Sequence, residues 1–219
     1  MKKSLLAAAA LLATVAVSES KAQGIRFGLK AGGNLSNLSG DLTDEDRYEN
    51  KFGFHGGAML NIGLLDDGFL SIQPEVLFSQ KGFKFAENQA FGLYRYSGSR
   101  TYNYIDVPVL LKLNADGFYF EAGPQYSYLM KVKDETQRSL NGTVFTNYSG
   151  TQNLDNVNRN EIGYAAGLGF QSDAGFLIGI RYNGSLTDFA KEGYTGDADV
   201  RNARNSVFQA SVGFLLPGK

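Results

Sequence analysis

From Asn103 to Val132 the chain alternates apolar and polar positions through two runs joined by Asn114-Ala115-Asp116-Gly117. Ile105, Val107, Val109, Leu111 and Leu113 take every second place in the first run, with Asp106, Pro108, Leu110 and Lys112 between them. In the second, Phe118, Phe120, Ala122, Pro124, Tyr126, Tyr128, Met130 and Val132 alternate with residues that include Tyr119, Glu121, Gln125, Ser127 and Lys131. A period of two puts each set on its own face of a strand. The turn between them offers a glycine for a positive φ. One face is apolar and the other charged. A soluble sandwich turns the charged face to water, whereas a membrane barrel turns it inward.

The same pattern recurs on both sides of this hairpin. Strands are expected over 24–36, 51–64 and 69–85 before it, and over 160–171, 176–188 and 205–216 after it. The segments 37–50, 86–100, 134–159 and 189–204 are polar and read as long loops. Leu65-Asp66-Asp67-Gly68, Asn114-Ala115-Asp116-Gly117 and Ser172-Asp173-Ala174-Gly175 read as short turns. Long and short connections alternate strictly. The pattern therefore predicts an all-β fold: an eight-stranded antiparallel, up-and-down transmembrane β-barrel of a bacterial outer membrane, with both termini periplasmic. Phe118, Phe170, Phe176 and Phe214 fall near the short turns or the C-terminus, and Tyr126, Tyr128, Tyr164 and Tyr182 toward the long loops. Two such belts suit the two membrane interfaces. Pro74, Pro108 and Pro124 interrupt strands that have no edge to hide them on, so bulges or stretched pairing are expected there.

Composition narrows the picture further. Lys2 and Lys3, the apolar run Leu5 to Val17, and Ser20-Lys21-Ala22 form a secretory signal, expected to be cleaved after Ala22 to leave 23–219 as one barrel domain. No later run approaches the roughly eighteen apolar residues of a membrane-spanning helix. The absence of Cys excludes a lipid anchor at the cleavage site, a disulfide scaffold and a Cys-based metal site. Removing Lys2, Lys3, Lys21 and Glu19 from 21 basic and 22 acidic residues leaves 18 and 21, a net charge of −3, which gives no reason to expect nucleic acid.

Certain motifs carry a resemblance. Gln73-Pro74-Glu75-Val76-Leu77-Phe78-Ser79, Tyr104-Ile105-Asp106-Val107-Pro108-Val109-Leu110-Leu111-Lys112, Gly123-Pro124 and the opening Phe27-Gly28-Leu29-Lys30-Ala31-Gly32 resemble the PorT-like outer-membrane β-barrel family of Bacteroidetes. The likeness covers essentially the whole chain after residue 22. It implies an eight-stranded outer-membrane barrel, carries no biochemical activity, and suggests an accessory role in protein secretion or envelope assembly. The ending Leu215-Leu216-Pro217-Gly218-Lys219 departs from the family's usual aromatic terminus, which leaves Phe214 to serve from slightly inside.

Candidate chemistry is sparse. His55 is the only histidine, so a membrane-embedded lipid-modifying enzyme of the Ser-His type would have to use it. Its parity points inward, away from lipid, where a packed interior histidine is the simpler reading. Asp41, Asp44, Glu45, Asp46 and Glu49 offer oxygen ligands but not the EF-hand order, and with Asp197 and Asp199 they read as solvated loop acids. Asn-x-Ser/Thr occurs at Asn34, Asn37, Asn141, Asn147 and Asn183 and is incidental in a bacterial protein. No metal or phosphate motif appears, so no cofactor and no enzymatic activity are expected. The expected partners are outer-membrane lipid and an extracellular ligand or envelope protein met by four long loops. Structural or adhesive display is the leading reading. Inside, Lys30, Glu75, Asp106, Glu121 and Arg181 share the polar parity, the first three and Arg181 at comparable heights and Glu121 somewhat lower. They predict a mid-barrel charge network in which two bases bridge three acids, because isolated buried charges are too costly.

Overall fold

The computed structural model describes residues 24–40, 48–65, 68–89, 94–140, 143–151, 153–154, 157–190 and 202–217. The alternating segments form strands β1 (Ile25–Gly40), β2 (Tyr48–Gly63), β3 (Leu70–Gln89), β4 (Tyr94–Ala115), β5 (Phe118–Leu140), β6 (Thr143–Thr151), β7 (Asn160–Gln171), β8 (Phe176–Ser185) and β9 (Ala203–Leu215). Eight of these close into an antiparallel ring in the order β1-β2-β3-β4-β5-β7-β8-β9, and β1 and β9 pair from Gly28↔Leu215 to Gly40↔Ala203. Closure leaves no edge in the ring, as a membrane barrel requires. β6 stands outside the ring and pairs with the far half of β5, from Lys133↔Thr151 to Leu140↔Thr143.

β6 corrects the sequence reading, which made 134–159 one long loop. The segment 86–100 likewise belongs largely to strands, since β3 and β4 stay paired out to Gln89↔Tyr94. Period two marks a strand only where one face meets lipid. Beyond the barrel both faces meet water, so Thr, Asn, Ser and Tyr appear on either side and the alternation fades. Residues 1–22, read from the sequence as an export signal, and Asp41, Asp44, Glu45, Asp46, Asp66, Asp67, Asp197 and Asp199 lie outside the described residues.

At the opposite end the connections are tight. Asp116 (φ 52°) and Gly117 (φ 84°) link Ala115 to Phe118. Positive φ at both central residues is the type I′ turn, whose twist matches that of the flanking strands. Gly68 (φ 73°) and Gly175 (φ 95°) supply the same left-handed backbone in the other two turns.

The registers fix the stagger. From Lys30 the ladder passes through Gly57, Leu77, Asp106 and Ser127 to Glu161 in one direction. In the other it passes through Gly213 and Leu177 to Gln171. The two paths meet β7 ten residues apart (171 − 161), which is the shear of the barrel. Eight strands with that shear tilt by about 40°, and the backbone lies roughly 8 Å from the axis. Long side chains from facing walls therefore meet, and the interior is filled.

Its filling is inverted relative to a soluble protein. Lys30, Glu75, Lys81, Asp106, Lys112, Glu121, Glu161 and Arg181 are buried, while Leu29, Phe54, Phe120, Ile162, Leu168, Ile180 and Phe208 are exposed. Ring pairs mark the two ends of the apolar band. Phe118 meets Phe170 at 5.4 Å and Phe176 meets Phe214 at 4.8 Å near the short turns; Tyr164 meets Tyr182 at 6.1 Å nearer the long loops. The prolines keep register. The β2–β3 ladder is interrupted between Met59↔Glu75 and Ile62↔Ile72 beside Pro74, and the β4–β5 ladder between Pro108↔Gln125 and Leu111↔Ala122 beside Pro124. The register shifts fall elsewhere, between Asn50 and His55 and between Asn103 and Tyr104.

Depth in the membrane should be readable on the outer face. Ile180→Arg, mid-strand, is expected to cost about 2–4 kcal/mol, and Tyr164→Arg near the long-loop end about 0–1 kcal/mol. Unfolding in lipid vesicles measures both. Equal losses at the two positions would contradict a bilayer around this face.

Candidate functional site

The interior charges sort into two storeys. In the one nearer the short turns, Arg181 spans the lumen: Nη1 and Nη2 donate to the Glu75 carboxylate at 2.7 and 2.9 Å, and Nε donates to Glu121 Oε1 at 2.8 Å. Lys30 Nζ adds a 2.9 Å bond to Glu75 Oε1 and stands 4.0 Å from Glu121. Gln73 Nε2 donates to the same Glu75 oxygen at 2.8 Å. These four charged side chains come from β1, β3, β5 and β8, every second strand of the ring. Alternate strands point side chains into a common layer, as in other small barrels. A planar guanidinium with five donors suits a bridge between two carboxylates better than an ammonium does.

Asp106 does not join them. It lies nine residues from the end of β4 at Ala115 (115 − 106), whereas Glu75 and Arg181 lie five from the starts of β3 and β8 (75 − 70, 181 − 176). Its partner is Lys81, whose Nζ donates to Asp106 Oδ1 at 2.9 Å, stands 3.7 Å from Glu161, and lies over the Tyr104 ring at 4.4 Å. Asn205 Nδ2 completes this upper storey with bonds to Glu161 Oε2 at 2.6 Å and the Tyr104 hydroxyl at 3.1 Å. The sequence reading thus merged two clusters and left out Lys81, Glu161 and Lys112. All three carry the inward parity. Counting each from its own strand end would have separated the storeys.

Asn34 also lies inside, and its amide orientation follows from its bonds. Nδ2 donates to the Gln80 carbonyl at 2.8 Å and to Ser79 Oγ at 3.1 Å. Oδ1 therefore accepts, taking bonds from Gln209 Nε2 at 3.0 Å and His55 Nδ1 at 2.6 Å. His55 thus carries its proton on Nδ1 and is engaged by an amide within the lumen. Among the described residues no hydroxyl bonds its ring, and no cluster of three or more His, Asp or Glu is placed to hold a metal.

Above the second storey the lumen becomes apolar. Leu38, Tyr48, Phe83, Tyr102, Leu129, Val132, Val157, Phe189 and Ala203 pack into one buried cluster with the Tyr104 ring. Val157 and Ala190, from two different connections, pair as an isolated bridge that holds the inserted segments together. The long-loop end is stoppered by side chains.

Removing Arg181 leaves Lys30 alone to face two buried carboxylates. Arg181→Met should lower stability by about 3–5 kcal/mol. Combined with Glu75→Gln it should cost clearly less than the sum of the single losses, while combined with Asp106→Asn it should be additive. Urea unfolding in lipid vesicles reads the cycle. Additivity with both Glu75 and Glu121 would show that the bridge carries no coupling.

The sequence matches the outer membrane protein beta-barrel domain family over residues 18–191. No curated protein matches it. Among solved structures it is similar to Ail, the attachment invasion locus protein of Yersinia pestis, at 13% identity and a TM-score of 0.43, covering 89% of this chain and 100% of that one. Neisserial surface protein A matches at 13% identity and a TM-score of 0.46, covering 86% and 96%. OprG from Pseudomonas aeruginosa matches at 10% identity and a TM-score of 0.41, covering 89% and 97%. The matched span takes in strands β1 to β8 and both charge storeys except Asn205, and the chain belongs to the family of outer membrane proteins with a beta-barrel domain.

Proposed function

We propose that this barrel is non-enzymatic and serves to display a binding or adhesive surface at its long-loop end, outside the cell. In this reading the short turns and both termini are periplasmic and residues 1–22 are the cleaved export signal. The observation that carries it is the β3–β4–β5–β6 sheet continuing past the ring, with Val144, Phe145 and Tyr148 about half exposed or more on β6 (48%, 55% and 63%). Outside the apolar band such side chains have no lipid to cover them, and exposed apolar residues grouped in water favour an interaction surface. The stoppered lumen supports display over solute passage, because ion pairs and packed aromatics fill the axis.

Within the family, we place the chain in the PorT-like branch of Bacteroidetes on its Gln73–Ser79 and Tyr104–Lys112 motifs. An accessory role in secretion or envelope assembly rests on that likeness alone. A lipid-modifying role for His55 is disfavoured by its bond to Asn34 inside the lumen. The remaining partners in this reading are outer-membrane lipid around the barrel and an extracellular ligand or envelope protein at the sheet.

Two measurements test the proposal. A label at 141–142 should react on intact cells and a label at Asp116 should not; the reverse would overturn the orientation. Deleting 135–149 should leave the ring folded and protein secretion unchanged while abolishing the cells' attachment to immobilised glycans and matrix proteins. Unchanged attachment with impaired secretion would favour the accessory role instead.

A further inference from the structure

We infer that the vestibule at the short-turn end is a binding site for an oxyanion, a carboxylate or phosphate group, held on Lys112. The vestibule encloses about 870 Å³ and is lined by Arg26, Asn61, Ser71, Lys112, Asn114 and Gln171 among others. Lys112 is 1% exposed. Its Nζ donates to Gln171 Oε1 at 2.8 Å and Gln73 Oε1 at 3.4 Å and lies 4.0 Å over the Tyr119 ring. Lys30, Lys81 and Arg181 each have a carboxylate within 3 Å. Lys112 has none within 4 Å among the described residues.

The sum over the lumen hides this deficit. Among the described residues eight charged side chains are buried, four of each sign. Lys81 faces both Asp106 and Glu161, so the upper storey carries an extra negative charge. Glu75 and Glu121 are shared by Lys30 and Arg181, so Lys112, though opposite Glu121 in the β4–β5 ladder, has no carboxylate of its own and leaves the lower storey one positive charge in excess. Amide oxygens and an aromatic face solvate an ammonium only in part, and an uncompensated buried charge is costly. Among the buried cations Lys112 lies nearest the short-turn end, three residues from the β4 end at Ala115 (115 − 112). An anion entering from the short-turn side passes the half-buried Arg26 and then meets Lys112 at the floor.

Asp116 and Asp173 at the rim are exposed, so water and salt screen their repulsion. The screening around buried Lys112 is far weaker. The Ser71 hydroxyl, which accepts from Asn61 Nδ2 and keeps its own O–H, and the Nη1 side of the Arg26 guanidinium, whose Nε and Nη2 bond the Leu216 and Leu215 carbonyls, offer donors to oxygen acceptors, which favours an oxyanion over a halide. The inference stands apart from the display function and survives if the loops bind nothing.

The test is calorimetric titration of the refolded barrel in detergent micelles with inorganic phosphate, and separately with acetate, at constant ionic strength. Saturable binding of either is expected, and the pair distinguishes a phosphate site from a general carboxylate site. Gln171→Glu places a carboxylate where an amide oxygen now meets Lys112. It should weaken anion binding by at least about tenfold while leaving the barrel at least as stable to urea. Lys112→Met should also abolish binding. No saturable binding of either anion to the unaltered barrel, or unchanged affinity in the folded Gln171→Glu variant, would overturn the site.

Discussion

Arg181 holds Glu75 and Glu121 across the lumen while Lys30 takes another side of Glu75, and this bridge ties four strands that share no backbone ladder. The geometry of the ring leaves little choice. A barrel of eight strands has no room for bulk water around a charge, and its outer surface is hydrocarbon. A charged residue must therefore point inward and find a partner on another wall. A slip of one residue in any ladder would turn a whole strand over and carry an ion-paired charge into lipid. Register is thereby specified twice, once by the apolar outer face and once by the inner partners.

The interior changes character along the axis, and each layer suits its end. The open vestibule gives way to the two ionic storeys, while Asn34, His55 and Gln209 bond one another inside the same lumen. The aromatic cluster above them excludes water with residues drawn from β1, β2, β3, β4, β5, β9 and two connections. Tyr119 illustrates how tightly the lower layers are shaped. A Cβ at Gly169 would sit 2.5 Å from its hydroxyl, and one at Gly179 would overlap it. Small residues on the inner face make space for long ones.

The ring was legible in the sequence because lipid imposes a strict rule. Ile25, Phe27 and Leu29, or Ile178 and Ile180, recur at every second place where one face lies against hydrocarbon. The Asp-Gly turn was legible for a local reason, the need for positive φ at Asp116 and Gly117. β6 was hidden because Thr143–Thr151 carries no apolar face to reveal it. The inward set was visible, but its partners were not. Parity gives direction, whereas partnership depends on height and on the tilt of each strand. Asp106 was grouped with Arg181 and Lys30 on parity and approximate height, yet it stands higher and belongs to Lys81, whose partners lie on β4 and β7.

The closing seam between β1 and β9 has a consequence for how such a chain reaches its native state. The bridge joins residues 106 apart in sequence at Arg181 and Glu75 and 45 apart at Lys30 and Glu75, and Gln209 meets Asn34 across 175. Local hairpins such as the one at Asp116-Gly117 can form early, but they present half an ion pair to whatever surrounds them. The ionic layers become complete only when the first and last strands find each other. Until then, insertion into hydrocarbon exposes charges without partners, which disfavours partly inserted forms. The lumen thus couples closure to insertion, because its charges are fully paired only in the closed cylinder.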